Sequence, residues 1–562
     1  MLQKIAGYYA PLKSGKLPSM LLALSCCVYI AIGAMTMIFL SPRVLYADPW
    51  RFAKRLLSEP WPQNVLAENN GHREVIPNAL RLVELKWLGG DQWLQSWVGL
   101  GFALLTVWLL IRIVETERLN VVAHWAASLV CVLIIFWLGN ERVLAHGCEA
   151  VHAYLITTFL LSACWMLCGG NQLWRAALAA LSGFSAALCF GAGVAVFIAL
   201  FAVLTLRRSP WQQWSVIGGG FALTLLLMTG GSDPRAPGVQ DVELFALLDN
   251  IVRWLVAPLI YTVLPLIDER IAMQLPISSV RSFAVATSNF YASVFGPALT
   301  SAWPHRLVGL TGLGSLVTIT FVLWRRRTVS MAQVTAISIA WFALAVGGLV
   351  AIVRASYFVS FPEQLMATRY VPWSVLFWGG VLLWFFLHYG RLHPRRTALA
   401  GLALALCLAP STVWMALLAQ RMQHVAEQTA TAAASGVIDS EADHGESVPS
   451  EIADALPVLR KEKTSIFAWA ETRFLHGEAV KVAPVAVANV GVSPIRNMLG
   501  GEPSIRLAFD ADTSASRLIL MCEGVPLGMA VRVGQDNHWI GWGSRMVMPS
   551  CVKALKVRSA EA

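Results

Sequence analysis

The sequence predicts an all-α polytopic membrane protein of about eleven transmembrane helices with a small extracytoplasmic C-terminal α/β or β-rich domain. Three observations lead there. Of 562 residues, 57% are hydrophobic and only 14% charged, where an average soluble domain carries about 25% charged residues. Apolar runs long enough to cross roughly 30 Å of hydrocarbon recur between positions 20 and 419. Beyond Gln420 the hydropathy collapses, and short alternating runs separated by Gly, Asn and Asp take over.

The elements follow in order. Lys4, Lys13 and Lys16 precede an apolar run over 20–40, which is longer than a signal-peptide core and reads as an uncleaved first span with a cytoplasmic N-terminus. A polar stretch, 41–92, comes next. Further spans are expected near 93–113, 121–139, 151–168, 174–190, 191–206, 214–230, 308–324, 332–353, 370–388 and 397–419. Alternation then puts the turns at Arg112–Arg118, Arg175, Arg207–Arg208, Arg325–Arg327 and Arg391–Arg396 on the side of the N-terminus, as the positive-inside rule asks. The net charge of +10 is explained by such loops, so nucleic acid is not an expected partner.

The first loop falls on the opposite side, yet carries Arg43, Arg51, Lys54, Arg55, Arg73, Arg81 and Lys86. Those basic residues want another explanation. The stretch 231–307 forms either helices lying at the interface or one extra hairpin of spans, so the count is eleven or thirteen. The chain therefore divides into a transmembrane domain, 1–420, with a long external loop 41–92 and an external segment 231–307, and an extracytoplasmic region, 421–562. Within the latter a helix ending near Gly436 and strands at 479–490, 504–509 and 517–522 are expected. Cys522 and Cys551 form either a disulfide or two lone thiols. The 23 tryptophans suit membrane interfaces, and Trp539 and Trp542 either stack on a sugar ring or fill a small core.

Three groups of polar residues belong to the same expected external face. Asp48, just past the first span, is either the N-cap of a helix opened by Pro49 or a partly desolvated carboxylate acting as a base. The string Glu68-Asn69-Asn70-Gly71-His72-Arg73-Glu74 pairs Glu68 with His72 on one face if helical, while Asn70-Gly71 argues for a turn. His146 and His152 could add metal ligands, but lone histidines near interfaces are more often structural. Arg354, with Glu363 and Thr368-Arg369-Tyr370, forms the third group. These arginines either snorkel to lipid headgroups or grip a phosphate, for which the guanidinium fork is suited. The sequence holds no GxxxxGK[ST], GxSxG, HExxH or GxGxxG motif, which disfavours ATP-driven transport, serine hydrolysis, zinc proteolysis and dinucleotide chemistry.

With these residues placed, positions 20–420 resemble the GT-C superfamily of polytopic glycosyltransferases: a first span, a long external loop with an early acidic residue, some ten further spans and an extracytoplasmic C-terminal region. The strings Glu68…Gly71-His72-Arg73…Pro77 and Arg354…Thr368-Arg369-Tyr370 carry the resemblance. It implies a polyprenyl-phosphate sugar donor and a cell-envelope glycan or glycolipid acceptor, on the outer face of a bacterial inner membrane. Asp48 takes the position of the base with Glu68 in reserve, while His72, Arg73, Arg354, Arg369 and Tyr370 bind substrate. The paired acidic signature of some members is missing, so no metal and no cofactor are expected. Two other readings remain at this stage: a polymerase or ligase using pyrophosphate-linked glycans, with 231–307 as its catalytic loop, and a lipid-linked glycan transporter.

Overall fold

The computed structural model describes residues 16–68, 72–229, 243–262, 278–500, 504–533, 537–543 and 555–560. Lys4, Lys13, the Asn70-Gly71 turn and Cys551 lie outside the described residues. The chain forms two compact units. One takes the chain to Phe39, Glu68–Glu74 and Val98–Leu417; the other takes Leu40–Ala67, Val75–Trp97 and everything from Leu418.

The first unit is helical, and each expected span overlaps a helix among the described residues. Among the described residues eight helices are long and apolar enough to cross a membrane: Lys16–Leu40, Trp93–Glu115, Val121–Leu144, Gly147–Cys168, Ala302–Arg325, Met331–Val353, Thr368–Leu392 and Pro394–Ala434. The chain is a polytopic helical membrane protein with a C-terminal sheet. Sequence explains the helix starts: Asn120 Oδ1 accepts from the Ala123 N–H at 2.9 Å, and Ser330 Oγ accepts from the Gln333 N–H at 3.3 Å, satisfying donors that have no partner within the helix. At two expected spans, 174–190 and 191–206, the helices Leu173–Ala187 and Val196–Arg207 have 15 and 12 residues. At 1.5 Å per residue they reach about 22 and 18 Å, short of the hydrocarbon thickness, because Phe190 is extended and Gly191–Ala195 is a 3-10 turn.

Charge at the helix ends is tied down. The buried Glu117 carboxylate accepts from Arg391 Nη2 and Ser330 Oγ, which brings the turns after Glu115, before Met331 and around Arg391 together. Arg207 donates to the Leu167 carbonyl, and Arg208 Nη2 to that of Trp324 at 3.0 Å. Within 231–307, Leu244–Trp254 is an 11-residue helix, and its Asp249 accepts from Arg306 at 2.6 and 3.1 Å. Ser278–Thr300 is a 23-residue helix.

The second unit joins the first polar loop to the C-terminal region. Helix Pro49–Ser58 packs on helix Pro449–Glu462. Trp50, Leu56, Ala426, Ala430, Ile452, Ala455, Leu459 and Ile466 share one core. Polar ties run alongside: the Ala47 N–H donates to Ser447 Oγ at 2.9 Å, Arg51 pairs with Glu451 at 3.0 Å and Lys54 with Asp454 at 2.7 Å. Here two of the basic residues that strain the positive-inside rule, Arg51 and Lys54, find acidic partners. Glu84, fully buried, accepts from the Leu94 N–H at 2.7 Å and Gln95 Nε2 at 2.6 Å; burial pushes its carboxyl up to about 7.

Among the described residues seven antiparallel strands follow: β1 Val482–Val485, β2 Ala488–Ile495, β3 Ser504–Asp510, β4 Arg517–Cys522, β5 Val525–Arg532, β6 His538–Gly543 and β7 Leu555–Ala560. Their spatial order is β1-β7-β4-β5-β6-β3-β2. Thus β1 and β2, two residues apart in the chain, occupy opposite edges. Laid flat, seven strands would separate those edges by about 29 Å at 4.8 Å per strand, whereas the link from Val485 to Ala488 reaches about 10 Å. The sheet must roll. Leu507, Phe509, Leu518, Leu520, Trp539 and Val557 form one core with Val485 and Val492 packed against it. Trp542, Ile495 and Val531 cluster instead with Ala432 and Val437. Both tryptophans are core: Trp539 Nε1 donates to the Ala511 carbonyl at 3.0 Å and Trp542 Nε1 to Asp439 Oδ2 at 3.1 Å, so neither is a sugar-stacking platform. Cys522 is disulfide-bonded.

Candidate functional site

Three elements of the helical unit meet around two imidazoles. Gly147–Cys168 begins its helix four residues earlier than hydropathy alone suggests, and its first turns carry Glu149 and His152 into the packed interior. Glu149 Oε2 stands 3.1 Å from His152 Nε2, and Oε1 3.5 Å from Arg142 Nη2. Buried charges need such partners. The extended Phe190 comes next: its ring lies 4.6 Å from that of His152, nearly parallel at 11°, and 4.3 Å from that of His72. Gly191 is required beside it, since a Cβ there would stand 2.4 Å from His72 Nδ1.

His72 itself lies on non-helical backbone, as does Glu68. The helical pairing of Glu68 with His72 is therefore not formed; Glu68 is half-buried, and Arg73 likewise. Burial pushes the His72 imidazole down to about 4, with Glu74 pulling the other way and the Arg354 and His152 charges adding to the fall. It is neutral at neutral pH. His146 is likewise held well below its ordinary range by burial and by Arg142.

Arg354 ends helix Met331–Val353, its N–H donating to the Val350 carbonyl at 3.0 Å. Arg369 sits in the one-turn 3-10 helix Thr368–Tyr370, which opens the helix Val371–Leu392 and packs against Glu141–Leu144. Arg369 Nη2 donates to Gln364 Oε1 at 3.1 Å, and its guanidinium lies 5.0 Å from the Tyr370 ring and 6.0 Å from that of Tyr357. Tyr370 is buried at 8% exposure. Among the described residues neither Arg354 nor Arg369 faces a carboxylate, although both are half-buried. Arg142, Arg306 and Arg391 of the same unit each have one.

Asp48 belongs to the other unit. It precedes helix Pro49–Ser58, but its side chain makes no capping bond; instead, half-exposed, it pairs with Arg51 at 3.1 Å. The helix start announced by Pro49 is present without the cap. Among the described residues no three His, Cys, Asp or Glu side chains are placed to hold one metal ion.

Sequence reasoning missed Glu149, Arg142 and Phe190. A signal existed for the first two: charged residues at the edge of apolar runs are costly and stay only when paired or used. Phe190, one aromatic among many, gave none.

No family model matches the chain, and no curated protein matches it. Among solved structures, the oligosaccharyltransferase of Archaeoglobus fulgidus, crystallised in complex with zinc and sulfate, is similar at a TM-score of 0.34 and 12% identity, over 70% of this chain and 53% of that one. The chain thus spans about half the length of that protein.

Proposed function

We propose that the protein is a membrane glycosyltransferase that moves a sugar from a polyprenyl-phosphate donor to a cell-envelope glycan or glycolipid. The observation that supports it is the pair Arg354 and Arg369: half-buried guanidinium groups without a carboxylate among the described residues. A partly desolvated arginine is stabilised by an anion, and a phosphate suits its planar fork. Long apolar helices around it suit a donor that arrives in the bilayer. His72, neutral, offers a hydrogen bond without adding charge, and Arg73 and Tyr370 complete the binding group.

In this reading the acceptor hydroxyl attacks the anomeric carbon while a carboxylate takes its proton. The C–O bond to the phosphate breaks, the electron pair leaves with the polyprenyl phosphate, and the arginines stabilise the charge that develops. Asp48 is the first candidate for the base and Glu68, in the helical unit, the second. We place the reaction on the outer face of a bacterial inner membrane, with the N-terminus cytoplasmic, the C-terminal region periplasmic, and no metal or cofactor.

The test is release of polyprenyl phosphate, followed by mass spectrometry, from purified protein in nanodiscs given a panel of polyprenyl-monophosphate sugars and envelope lipid extract. Release by the wild type and its loss in Arg354→Ala and Arg369→Ala support the assignment. Release from pyrophosphate-linked oligosaccharides alone would replace the donor class, and no release from either would leave a binding or transport protein.

A further inference from the structure

We propose that Glu149, His152 and Phe190 are positioning residues that hold the His72 imidazole in one orientation, so that it presents a directed hydrogen bond to the donor phosphate; this rests on the reading of His72 and Arg354 as phosphate ligands. His72 is carried on irregular backbone, which by itself leaves a side chain several rotamers. Four contacts remove that freedom. Glu149 lies 3.1 Å from His152 Nε2, and Arg142 stands 3.5 Å from Glu149, so the His152 ring is oriented by a carboxylate that is itself fixed. That ring stacks on Phe190 at 4.6 Å, and Phe190 meets His72 at 4.3 Å. Gly191 leaves the space in which His72 Nδ1 sits.

The parts come from separate stretches of chain: the short helix Glu141–Leu144, the helix from Gly147, the break at 190–191 and His72. Nothing in the packing of a membrane helix calls for a carboxylate and an imidazole in its first turns; two apolar residues would bury more cheaply. What the polar pair adds is direction. A carboxylate behind an imidazole fixes which ring nitrogen carries its proton and where the ring points, as outer-shell partners do at metal and catalytic sites. Here that orientation is handed on by aromatic contact rather than by a hydrogen bond. The burial that keeps His72 neutral means that its contribution to an anion is a single directed N–H, whose value depends on alignment.

The experiment uses the full chain in nanodiscs and two readouts. One is the rate at which diethyl pyrocarbonate modifies His72, followed by mass spectrometry; the other is the Kd for farnesyl phosphate. His152→Ala and Phe190→Leu are expected to speed His72 modification and to weaken farnesyl phosphate by about tenfold, the size of one misaligned hydrogen bond to a charged group. His152→Phe, which keeps a ring against Phe190 but cannot be oriented by Glu149, should restore part of the protection; Glu149→Gln should keep the stack and lose less than His152→Ala. Gly191→Ala displaces His72 directly and should copy Phe190→Leu, which covers the case of a His152 variant that elutes as aggregate. Unchanged His72 reactivity in His152→Ala, Phe190→Leu and Gly191→Ala overturns the inference, as does faster modification with an unchanged Kd. Equal affinity of wild type and Arg354→Ala for farnesyl phosphate would instead overturn the phosphate reading, and the His72 rates distinguish the two failures.

Discussion

Glu84→Gln tests whether a fully buried carboxyl weakens the second unit at neutral and basic pH. Glu84 has no exposed surface, and burial raises its carboxyl from 4.5 to about 7, against the lowering effect of the hydrogen bonds from Gln95 and Leu94. In the unfolded chain it titrates near the ordinary value, so the folded state binds the proton more tightly. The stability this adds is complete below about pH 4.5 and is lost as the pH rises through about 7. Over about 2.5 pH units at 1.4 kcal/mol each, the difference is about 3 kcal/mol. In Glu84→Gln the neutral amide keeps one acceptor for the Leu94 N–H, and the neighbouring amide of Gln95 can turn over to accept from its NH2 group. Thermal unfolding in detergent, monitored by tryptophan fluorescence between pH 5 and pH 8.5, should show the wild type losing Tm across that interval more steeply than the variant. The variant should be the more stable of the two at pH 8.5. A wild-type slope equal to the variant's, or a variant less stable at every pH, would refute the reasoning and make Glu84 a plain capping carboxylate for the helix that starts at Trp93.

The remaining predictions concern both units. Arg354→Ala and Arg369→Ala should each lower polyprenyl phosphate release by about 10²–10³, with Arg369→Lys recovering less than the retained charge suggests because the fork is lost. Asp48→Asn should abolish most of that release if Asp48 is the base; activity retained in Asp48→Asn and lost in Glu68→Gln would move the role to Glu68. Asp439 is fully buried and accepts from Trp542 Nε1 at 3.1 Å and Arg506 Nη1 at 3.3 Å, so Asp439→Ala should cost about 3 kcal/mol, seen as a lower Tm with little change in donor affinity.

Much of the helical architecture was legible because a bilayer imposes length and polarity on each crossing, and those are local properties of sequence. The run Val121–Phe136 is readable without knowing any neighbour. The alternating runs at 479–490, 504–509 and 517–522 are also legible, and they fall on β1 with the start of β2, on β3 and on β4. What hydropathy could not reveal is the partnership of Pro49–Ser58 with Pro449–Glu462, since contacts such as Ala47 to Ser447 join positions 400 residues apart. The basic residues of 41–92 looked anomalous for that reason: Arg51 and Lys54 answer to Glu451 and Asp454, which no reading of the loop alone supplies. At the candidate site, Arg354 and Arg369 stood out because arginine at a span end is chemically conspicuous. The Phe190 contact did not, because an aromatic side chain's role depends on what lies against each face.

The order of strands in the rolled sheet also sets a timetable for synthesis. The last strand, β7, fits between β1 and β4, pairing Val482–Val485 on one side and Ile519–Cys522 on the other. A ribosome at work on residue 550 has therefore delivered six of the described strands, of which β1 has no hydrogen-bonded neighbour among the other five. Insertion of the final strand completes the sheet only after translation has passed residue 560, and a chain stopped by a premature codon near 550 would present two unpaired strand edges to any quality-control protease it met.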